Sequence, residues 1–269
     1  MYTGYVTEIG DVVTCPLFCK ARREGKSRPP SDRTNLGNAV HAALDAYNCA
    51  RIADQGNIEG ATAAARATLV RVTPTLNPRP ARGGDEIISA WPAHEQGTMG
   101  YIETLHSEVS AATVLNDRIG MVFPARPGTV EFALRMKIDV IRLIQEEGKV
   151  WAEVGDYKTG KMPADPFNMQ AAAYRLFAER YRDKLAIPAN AGIRVRFYTL
   201  SAPWGQCPTA AVNTWPAPGV PDDVDLGHLE DVFCAWATIA FQGPWPARPG
   251  PACSYCPSPC PTGMVGRGA

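Results

Sequence analysis

Leu36, Val40, Leu44 and Tyr47 recur at three- and four-residue intervals, which places them on one face of an α-helix. Thr34 or Asn35 stands where an N-cap is expected, and His41 lies beside the apolar face. Upstream, residues 5 to 26 read as a helix interrupted or turned at Cys15-Pro16, followed by the polar loop GKSRPPSDRT. An alanine-rich helix is expected over 58 to 72, and TLNPRPARGGDE after it holds too much proline and glycine to continue it. From about residue 103 the pattern changes. ETLHSEVSAATV, TVEFALRM, KIDVIRLI and KVWAEVGDY are strand-like and are separated by the turn-prone GMVFPARPG and EEG, which predicts a meander. Residues 165 to 184 predict a helix with Met169, Ala173, Leu176 and Phe177 as its inward stripe, and GIRVRFYTL predicts another strand. A proline-laden excursion over 202 to 222 leads to LGHLEDVFCAWATIAFQ, an amphipathic helix with Leu229, Phe233, Trp236 and Ile239 or Ala240 on one side. The tail from Gly243 reads as irregular.

This order argues for an α/β (α+β) core with an appended helical cap rather than a doubly wound parallel sheet. One domain over residues 1–269 is expected: a mainly helical part over 1–100, a core over 101–200, and a helix with a cysteine-rich tail over 201–269. At 45% hydrophobic residues the chain can fill a core. No apolar run reaches the roughly 18 residues of a membrane span, and MYTGYVTEIGDVV lacks a signal-peptide pattern, so a cytoplasmic location is expected. With 27 basic and 27 acidic residues there is no global field to attract nucleic acid. One local patch stands out, Lys20, Arg22, Arg23, Lys26, Arg28 and Arg33, which reads either as a DNA-binding surface or as a solvated helix end.

The most informative stretch is KIDVIRLIQEEGKVWAEVGDYKTGK, a predicted hairpin with Asp139 on one arm and Asp156 and Lys158 on the other. Residues i and i+2 of a strand share a face, so Asp156 and Lys158 point into one cleft that Asp139 can join. Charges buried beside Ile138, Val140 and Val154 need compensation, and a divalent cation provides it. Two carboxylates suit Mg²⁺ or Mn²⁺, which activates water and neutralises phosphate, with the lysine placing the water: a phosphodiester hydrolysis site. Taken alone, the D-x-K spacing also fits an ordinary Asp-Lys pair at a strand end. Gly155 to Lys161 spells G-x-x-x-x-G-K, but Met162-Pro163 replaces the Ser/Thr and helix start of a phosphate loop.

Gly37 to His41 (G-x-x-x-H), Asp139, Asp156 to Gly160 (D-x-K-T-G) and Gln170 to Tyr174 (Q-x-x-x-Y) together resemble the RecB-like branch of the PD-(D/E)XK nuclease superfamily, which includes CRISPR-associated exonucleases. The four motifs cover residues 37 to 174. The resemblance implies a restriction-endonuclease-like core with a central mixed sheet flanked by helices. It implies that His41, Asp139, Asp156 and the Tyr157 carbonyl hold the metal, that Lys158 assists catalysis, and that Gln170 and Tyr174 line the cleft. Glu108 is a candidate supporting acid or a surface glutamate. Relatives usually carry glycine three residues before the first aspartate, where this chain has Met136.

Eight cysteines stand at 15, 19, 49, 207, 234, 253, 256 and 260. Cys253, Cys256 and Cys260 are three clustered thiolates that need a fourth ligand from elsewhere. Iron-sulfur members of the resembled branch pair one upstream cysteine with three near the C-terminus, which implies Cys15 as the fourth ligand of a [4Fe-4S] cluster, with Cys19 as substitute and zinc as the rival metal. Cys49, Cys207 and Cys234 read as free thiols. The expected function is a metal-dependent DNA nuclease, an exonuclease acting on DNA ends or single strands in recombination, repair, or phage- or CRISPR-related processing, with a helicase, recombinase or integrase as a potential partner. The alternative is a non-catalytic DNA-binding or recombination-partner module, which has no use for His41, Asp139, Asp156 and Lys158 together.

Overall fold

The structure, a computed structural model, describes residues 1–26, 29–98, 100–115, 120–159, 169–200, 212–215 and 225–245. Its elements run β1 (Tyr2–Tyr5), α1 (Val6–Thr14), α2 (Pro16–Arg23), α3 (Asp32–Ala53), α4 (Ile58–Val72), α5 (Gly84–Thr98), β2 (Tyr101–Ser110), α6 (Ala111–Leu115), β3 (Met121–Phe123), β4 (Phe132–Arg135), β5 (Lys137–Glu146), β6 (Lys149–Lys158), α7 (Met169–Arg180), β7 (Gly192–Thr199), β8 (Val212–Trp215) and α8 (Leu226–Gln242). They form a five-stranded mixed sheet in the order β2-β5-β6-β7-β8 and a three-stranded sheet in the order β1-β4-β3. β5 and β6 pair antiparallel across the Glu147-Gly148 turn, whereas β6 and β7 pair parallel, because α7 crosses between them.

The large sheet separates two cores, and strand alternation sorts residues between them. Ile141, Leu143, Ala152 and Val154 face the layer of α7 and α8, while Val140, Ile144 and Tyr157 face α3, α4 and α5. α7 is buried on every side from Ala171 to Ala178, so the expected inward stripe is a fully enclosed helix. Its alanines let it lie between the sheet and its helical neighbours without leaving a polar face. The chain crosses from the small sheet to the large one at Met136, whose side chain fills the core.

The boundaries of α4, β5, β6, β7 and α8 match the pattern of the sequence. Elsewhere the structure differs. β1 precedes α1, and pairs in parallel with β4, a long-range partner that local pattern does not reveal. The cap of α3 is Ser31, whose Oγ accepts the Thr34 N–H at 3.1 Å, rather than Thr34 or Asn35. GMVFPARPG, read as a turn, contains β3. α5 goes unpredicted because it begins at a glycine pair and contains Pro92, yet it seats the fully buried Trp91.

Candidate active site

The last residues of β6 and the first of β5 meet at one end of the large sheet. Val140 pairs with Gly155, so one step further along the two strands Asp139 stands opposite Asp156, on the face that also carries Lys158. Asp139 reaches sideways: its Oδ1 lies 3.1 Å from His41 Nδ1 on α3, and its Oδ2 accepts the Tyr157 N–H at 2.7 Å. Asp156 is 3% exposed, and its Oδ2 forms an ion pair with Lys158 Nζ.

α7 closes the site from above. Gln170 Nε2 donates to Asp156 Oδ1 at 3.1 Å and to the Tyr174 hydroxyl at 2.6 Å, and Gln170 Oε1 accepts from Lys158 Nζ at 3.2 Å. The Tyr174 hydroxyl contacts Asp156 Oδ1 at 3.1 Å and the Lys137 carbonyl at 2.7 Å. Gln170 and Tyr174 can share these atoms because they lie one helical turn apart. Burial, helped by the nearby charge of Asp139, pushes the Asp156 carboxyl above the usual carboxylate range against the pull of Lys158. Burial also holds the Tyr174 phenol well above its ordinary range, assisted by Asp156 and Asp139, so it remains a proton donor. Burial opposes charge on His41, but the hydrogen bond and charge of Asp139 outweigh it and lift the imidazole above its ordinary value.

Gly37 is explained by close approach. A Cβ there would lie 2.7 Å from Thr159 Oγ1, so the residue after Lys158 sits against bare helix backbone one turn before His41. Gly37→Ala is expected to displace Thr159 and lower turnover by up to about 10²-fold, the scale of an ångström misplacement near reacting groups. Gly37→Ala combined with Thr159→Ala, which removes the clashing oxygen, should recover much of it in a cleavage assay.

The other predicted residues fall into three groups. Glu108, at a positive φ of 46°, pairs with Lys137 at 2.6 Å near the β5 end. The basic patch stays at the surface, with Arg22, Arg23, Lys26 and Arg33 exposed, although Arg22 pairs with Asp11 at 2.6 Å, Arg23 donates to the Ala240 carbonyl at the end of α8, Lys26 pairs with Glu24, and Lys20 lies over the Trp245 ring. Arg28 lies outside the described residues, as do Gly160, Cys207, Cys253, Cys256 and Cys260. Cys15 is buried at the junction of α1 and α2, Cys19 is buried one turn on, Cys234 is buried in α8, and Cys49 is exposed. Burial pushes the Cys19 thiol up to about 12, with Asp11 and Glu8 adding to the effect. β6 runs unbroken through Gly155 to Lys158, which excludes a phosphate-cradling loop starting there.

Sequence reading missed the partners of the Tyr157 side chain on the far face of the sheet, namely Asn48, Arg142 and, beyond them, Glu95 and Arg51. The available signal was Arg142 itself, a charge on the inward-facing register of an otherwise apolar strand.

The donors suit a hard divalent cation. Among the described residues no three His, Cys, Asp or Glu side chains form a ready-made cage, but Mg²⁺ and Mn²⁺ are commonly held by one or two carboxylates, with water and substrate phosphate completing the shell. Asp156 Oδ2 is buried with Lys158 as its only charge partner among the described residues, which makes it the carboxylate oxygen a cation would take.

A mixed sheet flanked by helices, with two acids and a lysine gathered at the ends of paired strands, is consistent with a restriction-endonuclease-like fold. The family model of the PD-(D/E)XK nuclease superfamily matches residues 6–260, and the chain belongs to that superfamily. Its nucleases are metal-dependent and typically use Mg²⁺ or Mn²⁺. No curated protein matches the chain. Among the described residues no helix is long and apolar enough to cross a membrane.

Proposed function

We propose that this chain is a divalent-metal-dependent deoxyribonuclease of the RecB-like branch, working as an exonuclease on DNA ends or single strands. The observation that carries the reading is the placement of Asp139 and Asp156 opposite each other on β5 and β6, with Lys158 on the same face. His41, Asp139, Asp156 and the Tyr157 carbonyl would hold the ion. Lys158 C=O accepts the Leu200 N–H on the β7 side at 2.7 Å, so strand alternation turns the Tyr157 peptide groups toward β5 and Asp139. The bound cation supplies charge neutralisation at the phosphate and lowers the pKa of water.

The protein groups divide the remaining work. Gln170 and Tyr174 fix the Asp156 carboxylate by hydrogen bonds to its Oδ1, leaving Oδ2 toward Lys158. Lys158, tethered through Gln170, is placed to orient a nucleophilic water and to stabilise negative charge developing on the phosphate. Incubating the purified protein with end-labelled single- and double-stranded DNA tests the reading. Cleavage that requires Mg²⁺ or Mn²⁺ and releases products from the ends is expected; metal-independent cleavage, or none, overturns it.

The cysteines belong to the same proposal: a [4Fe-4S] cluster on Cys15, Cys253, Cys256 and Cys260. Supporting this, Trp245, just past α8, packs against Lys20 on α2, the helix that the buried Cys15 immediately precedes. The eight residues from Trp245 to Cys253 reach at most about 28 Å, ample to return there. The protonated thiol favoured at Cys19 makes it the weaker candidate. Anaerobically purified protein should be brown and contain iron, and Cys256→Ser should lose both; a colourless protein with stoichiometric zinc refutes the iron assignment.

A further inference from the structure

The strand that carries Asp156 and Lys158 has a second face, and it holds a polar network that the chemistry above does not use. Tyr157, between those two residues, sends its side chain through the sheet toward α3 and α5. There its hydroxyl accepts from the Arg142 guanidinium and from Asn48 Nδ2 at 3.2 Å, while Arg142 also donates to Asn48 Oδ1 at 3.0 Å. Arg142 in turn pairs with Glu95 at 3.4 Å, and Trp91 packs edge-on against the Tyr157 ring at 5.2 Å. Asn48, Arg142 and Glu95 are each 0% exposed.

On the other side of the same residue, the backbone N–H of Tyr157 is bonded to Asp139 Oδ2 at 2.7 Å. One residue therefore ties the back of the sheet to a carboxylate of the site. Stability alone does not account for such a device, because a buried ion pair is commonly no better than apolar side chains of similar volume. The three mutually bonded groups, Arg142 Nη2, the Asn48 amide and the Tyr157 hydroxyl, nonetheless fix the position of the Tyr157 ring, while Arg142 Nε and Nη1 are held by charge alone.

We infer that Arg142 and Asn48 are positioning residues which, through the Tyr157 hydroxyl, set the rotation of β6 and thereby the placement of the Tyr157 peptide against Asp139. This rests on the reading of Asp139 as a metal ligand. Removing a group that orients a ligand typically weakens metal affinity by about 10- to 100-fold, and that range is expected here for Tyr157→Phe and for Asn48→Ala.

The test measures Mn²⁺ binding to the DNA-free protein by electron paramagnetic resonance, together with hydrogen exchange of the amide at position 157. Tyr157→Phe should fold cooperatively, bind Mn²⁺ at least about tenfold more weakly, and exchange that amide faster than those of Val154 and Val195 inside the sheet. Asp139→Ala is the control. If Asp139→Ala loses Mn²⁺ while Tyr157→Phe and Asn48→Ala bind it as the parent does, the positioning role is overturned and the site reading survives. If Asp139→Ala binds like the parent, the site reading fails and the inference fails with it. Should Tyr157→Phe not fold, Asn48→Ala decides by the same two readouts; if neither folds, the network is a structural scaffold and the inference is overturned.

Discussion

Asp156→Asn will abolish metal-dependent DNA cleavage while leaving the protein folded. The substitution keeps the shape of the side chain and removes the charge that a cation needs. Metal-ion catalysis supplies several kcal/mol of transition-state stabilisation, so turnover should fall by about 10³-fold or more. Stability should be unchanged or improved, because Asp156 is 3% exposed and burial already works against its charged form. Lys158→Met should cost about 10²- to 10³-fold, the usual scale for removing one preorganised charge-stabilising donor. Steady-state cleavage measured beside urea unfolding of the same samples separates the two quantities. An Asp156→Asn protein that cleaves like the parent would remove Asp156 from the site.

Glu95→Gln will be the most destabilising single change in the helical layer. Arg51 and Arg142 each reach Glu95 at 3.4 Å, and it is the carboxylate that both share. The Tyr47 hydroxyl donates to the same group at 2.8 Å. Neutralising it leaves two buried guanidinium groups without a counter-charge, a loss of about 3–5 kcal/mol against a total stability of ~5–15 kcal/mol. Arg142→Met should cost less, because Glu95 keeps Arg51 and one positive charge leaves the core. Denaturant titration of the two variants gives the order directly; equal losses would show that the shared carboxylate is not the centre of the network.

The side chains of the candidate site were legible because they lie in short local patterns whose periodicity fixes direction: Asp156 and Lys158 by strand alternation, Gln170 and Tyr174 by one helical turn. Their convergence is long-range. His41 meets Asp139 across 98 positions of sequence, and only the resemblance to known motifs suggested that it would. β1 and β3 escaped notice because they are four and three residues long and owe their existence to β4. The network around Arg142 and Glu95 was missed for a different reason: apart from Arg142 its charged members read as solvent-facing, and their mutual neutralisation appears only once α3, α5 and β5 are packed. The basic stretch from Lys20 to Lys26 shows a related limit, since the sequence does not reveal that Arg22, Lys26 and Arg23 also bond to Asp11, Glu24 and the end of α8 while staying exposed.

The contact between α2 and α8 has a consequence for synthesis. Val12 and Cys19, near the start of the chain, share a small apolar cluster with Ala240, near its end, and Arg23 donates to the last turn of α8. A ribosome emits the first pair more than two hundred residues before their partner. Until then that surface has no lasting cover, and pairing so distant in sequence is intrinsically slow to close. Closing this cluster therefore waits for α8, made more than two hundred residues after the two helices it covers.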